Sequence, residues 1–469
     1  MASVHLLEGK PGRSFVDYFV DSSGAYFAPQ LPSEEWARRW RRLIKCYHEC
    51  GYEGAGQTIA VIDTGIITNH PVVAGALIKT IDYTVEGISD LNGHGTLVSL
   101  LALSVAPRAK LIAIKVLTRN GYCAGSSQTE REEIFASAIR RAGEEGATII
   151  NVSAGASRLK TIDGGYLDLT AVCNCPICKT AEETIARFDV AIFAAAGNSD
   201  TAFAPGGKLD YMWACPANAA NVVPVIGIES SKPIARPAFA DPNAVGAVGA
   251  VALAHLRPLR PANFFKRVWK RITHRSKFGS SFATPLVCGT AALIVESLAS
   301  EDPPAISEIF PRNCRGPALT TGGMVDLAEF FDRPQWDDTH SDRRLLYYWL
   351  NLRQIIARLR ASGRRSEAVR LDRLQLAITE VVAGPEHPSL VPILNELGLM
   401  YSEDSLLYTS ALKAFERAIT ILEKQTEQGD DRAEDLESLS VVRGNLEILE
   451  QKHRDLLRRL WKEPLDDFA

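Results

Sequence analysis

Residues 57–65 read QTIAVIDTG, an apolar, β-branched run that ends in an acidic residue and a Thr-Gly pair. This pattern predicts a buried strand that stops at a turn, with the carboxylate of Asp63 at its carboxyl end. Similar runs follow at 110–117, 148–152, 190–196 and 222–228. Helical patterns lie between the runs, at 94–104, 129–145 and 179–188. This alternation predicts an α/β fold, a doubly wound parallel sheet covered on both faces, with ligand chemistry at the carboxyl ends of its strands.

The composition is that of an ordinary globular protein. The chain has 469 residues, 46% of them hydrophobic, and its 52 basic and 56 acidic residues give a formal net charge of −4. Because this charge is close to zero, we expect neither nucleic acid nor a membrane surface as a partner. No stretch reads as apolar enough to span a bilayer, and 1–19 lacks the uninterrupted apolar core of a signal peptide.

The nine cysteines are scattered along the chain. Their odd number and wide spacing favour reduced thiols over a disulfide framework. With no signal-peptide pattern at the start, this predicts a cytoplasmic protein.

The character of the chain changes near residue 331. The segment 332–344 is polar and contains proline, and 345–469 has a helical period without a strand pattern. We therefore predict an N-terminal extension over 1–50, an α/β domain over 51–331, a linker over 332–344 and an all-α domain over 345–469.

Polar residues stand at three predicted edges of the α/β domain. Asp63 lies in VIDTG, His94 opens a helix in NGHGTLVS, and Ser281 lies in GSSFATP before another helix. A serine hydroxyl needs a base to become nucleophilic, and an imidazole needs a carboxylate to orient it. The side-chain amide of Asn198, in AAAGNS after a strand, is a candidate donor to an oxyanion.

In this order and context, VIDTG, NGHGT, AAAGN and GSSFATP resemble the signature motifs of the subtilisin-like serine proteases, the subtilases. The order Asp, His, Ser is that of subtilisin itself. The resemblance covers about 50–331 and implies an endopeptidase. It implies that Asp63 orients His94, that His94 is the general base, that Ser281 is the nucleophile, and that Asn198 donates to the oxyanion.

The same resemblance implies a primary substrate pocket with two walls of small residues. These are Ser153, Ala154 and Gly155 on one side and Ala195, Ala196 and Gly197 on the other. Such walls favour a medium or large apolar residue before the scissile bond of a protein or peptide substrate.

Four cysteines are candidates for a tetrahedral zinc site: Cys173, Cys175 and Cys178 in CNCPIC, and Cys215 in WACPAN. The one-residue gap between the first two is tighter than the usual zinc spacing. We therefore favour a reduced loop with Cys215 buried separately, and expect no metal and no other cofactor. Zinc stays open as the alternative.

The all-α domain contains an internal sequence repeat. Ala368 in SGRRSEAVRLDRLQLAI matches Ala411 in YTSALKAFERAI at an offset of 43 residues, a period that fits helix-pair repeats. The segments 384–401 and 411–423 resemble tetratricopeptide repeats of the kind found in kinesin light chains. That resemblance implies a protein partner on a concave face. A plain helical bundle that acts as a lid or dimer interface is the alternative.

We therefore predict a cytoplasmic serine endopeptidase, a subtilase, whose helical repeats bind a partner or regulate access to the site. A second hypothesis is a catalytically silent scaffold whose repeats mediate protein–protein interaction. A third is a competent protease that is shut until a partner engages the repeats. The presence of all four catalytic residue types favours an enzyme over a scaffold.

Overall fold

A computed structural model describes part of the chain. The described residues are 5–6, 19–20, 35–154, 156–159, 175–195, 212–217, 219–229, 232–233, 245–248, 250–251, 277–278, 280–299, 305–309, 343–427 and 433–460. The chain divides into two compact units, Met1–Asn351 and Leu352–Ala469. The predicted linker lies almost entirely outside the described residues, so the predicted domain boundaries stay predictions.

The described strands all belong to the first unit. They are β1 (His5–Leu6), β2 (Phe19–Val20), β3 (Thr58–Asp63), β4 (Leu77–Asp82), β5 (Lys110–Lys115), β6 (Ile149–Val152), β7 (Ala156–Leu159), β8 (Ala191–Ala195), β9 (Met212–Cys215), β10 (Val223–Glu229), β11 (Lys232–Pro233), β12 (Val245–Val248), β13 (Ala250–Val251) and β14 (Lys277–Phe278).

The α-helices occur in both units. They are α1 (Glu35–Glu49), α2 (Pro71–Ala76), α3 (His94–Val105), α4 (Gln128–Glu144), α5 (Pro176–Phe188), α6 (Ser280–Leu298), α7 (Ile306–Ile309), α8 (Arg343–Ala361), α9 (Arg365–Ala383), α10 (Leu390–Tyr401), α11 (Tyr408–Glu427) and α12 (Ala433–Leu460).

Eight strands form the central sheet, in the order β11-β10-β8-β6-β3-β5-β4, with β12 pairing with β10. All of its strand pairs are parallel except β10–β11. From β3 the chain builds first β4 and β5 on one side and then β6, β8 and β10 on the other. The carboxyl end of β3 is therefore the point where the strand order reverses, which is where open α/β sheets bind ligands. The predicted parallel α/β sheet is confirmed.

The two faces of the sheet follow from the two-residue period of its strands. Ala60 and Ile62 of β3 share one core with Phe135 of α4 and Ile185 of α5. On the opposite face, α6 packs against α3, β6, β8 and β10. Gly289 allows α6 to approach α3 closely, since a Cβ there would lie 2.6 Å from the Cβ of Val105 and 2.7 Å from the Ala102 oxygen.

Among the described helices, α6 alone is long and apolar enough to cross a membrane by length and composition. The expectation that no stretch reaches this apolarity was therefore wrong. Of the most apolar part of α6, 89% is buried within the protein. Because α6 packs between α3 and the sheet, burial in the core explains its apolarity.

The second unit is helical, as predicted. Its helices pack in chain order, α9 on α10, α10 on α11 and α11 on α12. The contact between α10 and α11 depends on Gly398, where a Cβ would lie 2.5 Å from the ring of Phe415. The assignment of these helices to tetratricopeptide-like repeats stays a prediction.

Candidate active site

A carboxylate and an imidazole meet at the carboxyl end of β3. Asp63 is the last residue of the strand and is 1% exposed, and His94 is the first residue of α3. Nδ1 of His94 lies 2.8 Å from Oδ1 and 2.9 Å from Oδ2 of Asp63. Because an ionised carboxylate only accepts hydrogen bonds, Nδ1 carries the hydrogen. Nε2 of the neutral ring is then the basic nitrogen.

Two glycines allow the start of α3 to lie against the turn that follows β3. A Cβ on Gly95 would lie 2.3 Å from the carbonyl oxygen of Gly65 and 3.2 Å from the Cβ of Asp63. Gly65 has a φ of +107°, in the region that L side chains disfavour. The glycines of the DTG and GHG motifs therefore set the distance between the carboxylate and the imidazole.

A second buried carboxylate, that of Asp90, organises the start of α3 and was missed by the sequence analysis. Asp90 is 3% exposed. It accepts hydrogen bonds of 2.7–3.1 Å from the backbone N–H groups of Asn92, Gly93 and Thr96 and from the hydroxyls of Thr64 and Thr96. A negative charge at this position also interacts favourably with the helix dipole. The available signal was an acidic residue shortly before a helix start.

The first turn of α6 also lies near the imidazole. The ring centroid of Phe282 lies 5.4 Å from that of His94. Ser281, the preceding residue, is half-buried. Its backbone N–H belongs to the first turn, where N–H groups have no carbonyl partner within the helix. An imidazole oriented by a carboxylate is the arrangement that can convert a serine hydroxyl into a nucleophile.

The predicted pocket residues are placed in part. Ser153 is buried, and its hydroxyl accepts a 3.0 Å hydrogen bond from the side-chain amide of Asn151. Ala154 is half-buried directly after it, and Ala195 is the buried last residue of β8. Because β6 pairs with β8, both predicted walls leave the same edge of the sheet. The other predicted site residues, Asn198, Gly155, Ala196 and Gly197, lie outside the described residues.

Three of the four candidate metal ligands come together. The Sγ atoms of Cys175, Cys178 and Cys215 all lie within 4.8 Å of one another, and the three residues are buried. Cys215 is therefore not separate from the two others, contrary to the interpretation that the sequence favoured. Cys173 lies outside the described residues.

Comparison with known proteins gives a consistent result. Residues 54–316, more than half of the chain, match the subtilase family. The subtilase-type proteinase RRT12 of Saccharomyces cerevisiae is 30% identical over 203 residues, which are 42% of this chain and 36% of that protein. Subtilisin DY of Bacillus licheniformis is 31% identical over 258 residues, covering 52% of this chain and 78% of that protein. The chain thus spans about a third of the yeast relative. A structure of the MycP3 protease from the type VII (ESX-3) secretion system is 22% identical, with a TM-score of 0.43 and coverage of 63% of this chain and 88% of that chain.

Proposed function

The chain belongs to the subtilase family of serine proteases, and from this we propose that it is an active endopeptidase with Asp63, His94 and Ser281 as its catalytic triad. The observation that carries the proposal is the pair of short contacts between Nδ1 of His94 and the carboxylate of Asp63. The proximity of Phe282 to the same imidazole supports the role of the neighbouring Ser281.

Each group has a defined part in the proposed reaction. Nε2 of His94 removes the proton of the Ser281 hydroxyl while Oγ attacks the scissile carbonyl, and the imidazolium then protonates the leaving amine. Asp63 remains ionised, holds the Nδ1–H tautomer and stabilises the imidazolium. The oxyanion of the tetrahedral intermediate accepts hydrogen bonds from the backbone N–H of Ser281 and the side-chain amide of Asn198.

The proposed substrate is an extended peptide that adds a strand beside the pocket walls. Main-chain hydrogen bonds then supply affinity, and the pocket selects the side chain. One wall is Ser153, Ala154 and Gly155, and the other is Ala195, Ala196 and Gly197. Because all six side chains are small, we propose a preference for a medium or large apolar residue before the scissile bond.

Replacement of one serine tests the proposal. We expect Ser281→Ala to abolish cleavage of an unstructured peptide and labelling by a fluorophosphonate probe, with an unchanged circular dichroism spectrum, because only the nucleophilic oxygen is lost. The matched control is Ser280→Ala, which removes the adjacent hydroxyl on the same turn and should retain labelling. Labelling that survives in Ser281→Ala, or wild-type protein that stays unlabelled with and without cell extract, would overturn the proposal. The second result would favour the silent scaffold.

The role of Asn198 predicts a different kinetic result. Asn198→Ala should retain probe labelling but lower kcat by about 10²–10³, the usual effect of losing one oxyanion donor. The measurement is steady-state cleavage of a peptide ester and the corresponding amide. An unchanged kcat would assign the oxyanion contact to another group.

For the C-terminal unit, we propose a tetratricopeptide-like surface that binds a protein partner or regulates access to the protease. The helix α9 begins at Arg365 and α11 begins at Tyr408, 43 residues later, which is the offset of the internal sequence repeat. Ala368 and Ala411, the matched positions, are both fully buried. This agreement between a sequence period and equivalent core positions supports a repeat over an irregular bundle.

We also propose a cytoplasmic location. None of the seven cysteines with described side chains forms a disulfide. The spacing of the nine cysteines along the chain is consistent with a reducing compartment. Localisation of a tagged chain by cell fractionation tests this proposal.

A further inference from the structure

Three buried thiols from two distant parts of the chain converge in the first unit. Cys175 is the N-cap of α5, Cys178 lies in the first turn of the same helix, and Cys215 ends β9. Their exposed fractions are 6%, 0% and 0%. Their Sγ atoms all lie within 4.8 Å of one another. These three residues, the thiol cluster, are not used by the proposed protease mechanism.

The geometry of the thiol cluster is close to that of a metal site. A tetrahedral zinc ion with Zn–S distances of about 2.3 Å places its sulfur ligands about 3.8 Å apart. The observed upper limit of 4.8 Å leaves a closure of about 1 Å, which rotations of the side chains can supply. Cys175 and Cys178 also have the two-residue spacing that structural zinc sites use.

The helix start that carries two of the ligands favours thiolates. The backbone N–H of Cys178 donates a 3.5 Å hydrogen bond to Sγ of Cys175, and both residues lie at the positive end of the α5 dipole. N–H groups and the dipole stabilise sulfur anions at such positions. The helix start therefore provides an N–H donor and a favourable dipole for a deprotonated sulfur ligand.

The three sulfur atoms of the thiol cluster lie close enough to one another for a single ion to engage all of them. A disulfide would use only two of the three sulfur atoms. A bound dication engages all three, and each coordinating thiol loses its proton to the metal.

We propose that Cys175, Cys178 and Cys215 bind one Zn²⁺ ion through their thiolates as a structural site. Thiolate ligands select zinc over the hard cations Mg²⁺ and Ca²⁺. Binding releases the three thiol protons, and the fourth position of the tetrahedron accepts one further ligand.

The position of the site gives it a structural consequence. β9 pairs antiparallel with β7, with Cys215 opposite Ala156, and β7 begins shortly after Ala154. The zinc ion therefore ties the start of α5 to the strand pair that continues one wall of the pocket. The effect of metal removal on substrate binding rests on the proposed function, whereas the metal site itself does not.

The test is metal analysis of the full-length chain purified without chelators. We expect about one zinc per chain, and a thiolate-to-cobalt charge-transfer band when Co²⁺ replaces it. Cys178→Ser should lose the zinc. Cys46→Ser is the matched control, because Cys46 is also buried but lies on α1, and it should keep the zinc. Ser281→Ala should also keep the zinc, so a failure of the metal site and a failure of the proposed protease can be distinguished.

Three results would overturn the proposal. The first is wild-type protein that holds no stoichiometric zinc after growth in zinc-supplemented medium and shows no cobalt band on reconstitution. The second is a disulfide between any two of the three cysteines in the peptide map of the native protein. The third is a zinc content that is the same in Cys178→Ser and in wild type. The first two need no variant, so a poorly folded Cys178→Ser leaves the proposal testable.

Discussion

The carboxylate of Asp90, three residues before the helix cap Gly93, accepts five hydrogen bonds at the start of α3. Asp90→Asn turns one acceptor oxygen into a donor that faces other donors. Each buried group left unsatisfied costs about 1–3 kcal/mol. We expect the free energy of unfolding to fall by about 2–4 kcal/mol. We also expect kcat to fall, because the start of α3, which carries His94, is then held by fewer hydrogen bonds. Urea unfolding and peptide cleavage measure the two effects.

The control for Asp90 is a carboxylate in a comparable place. Asp82 ends β4 and is half-buried, and it accepts hydrogen bonds of 2.8 and 2.7 Å from the N–H and hydroxyl of nearby Thr84. Asp82→Asn should lower stability by less than about 1 kcal/mol, since the lost contacts are local and partly hydrated. Equal losses of kcat in both variants would contradict a specific role for Asp90.

The sequence revealed the residues whose function has a local pattern. Asp63 follows an apolar strand and His94 opens an apolar helix, so each was recognisable from its neighbours. Asp90 was missed because its hydroxyl donor Thr64 is 26 residues away and meets it only in the fold. The proximity of Cys215 to Cys178 was missed for the same reason, since sequence spacing carries no information on which segments a sheet brings together.

At the scale of elements, the strands buried on both faces were predictable and the edge strand β4 was not. β4 reads LIKTID, and residues 78–80 are exposed, so it lacks the continuous apolar run that marks a central strand. The start of α3 was predictable from the glycines around His94, although the close approach that they permit became visible only in three dimensions.

The close approach of Gly95 to the turn after β3 predicts that one added methyl group lowers the activity. In Gly95→Ala the new Cβ would overlap the carbonyl oxygen of Gly65, so the start of α3 must move away from β3. The contacts of 2.8 and 2.9 Å between His94 and Asp63 then lengthen. A displacement near 1 Å in a catalytic group costs about 10²-fold in rate, and we expect kcat/KM to fall by at least that factor.

Gly75→Ala is the matched control for Gly95→Ala. Gly75 also lies in a helix, α2, and a Cβ there meets no atom within 4 Å. Because alanine has the higher helix propensity, this variant should be as stable as wild type or slightly more stable, with unchanged kcat/KM. Comparison of peptide cleavage and thermal unfolding in the two variants separates the steric effect from the change of residue type.

At the scale of the whole molecule, the chain consists of two units, and the proposed triad lies entirely within the first. Every motif of the protease precedes residue 331, and the family match ends at residue 316. The second unit supplies no candidate triad member. This division predicts that 345–469 directs or restrains the protease and does not take part in the chemistry.

A truncation that ends at Asp332 tests this division. It should fold and cleave small unstructured peptides with a kcat/KM close to that of the full-length chain, because it retains the sheet, α3 and α6. Cleavage of proteins in a cell extract should change, and its sign distinguishes two roles. Slower cleavage means that the helices recruit substrates, and faster cleavage means that they hold the site closed. The same truncation with Ser281→Ala controls for contaminating proteases. A soluble full-length enzyme whose truncation is insoluble or inactive on small peptides would show that the helices complete the catalytic unit, and the regulatory role would then be withdrawn.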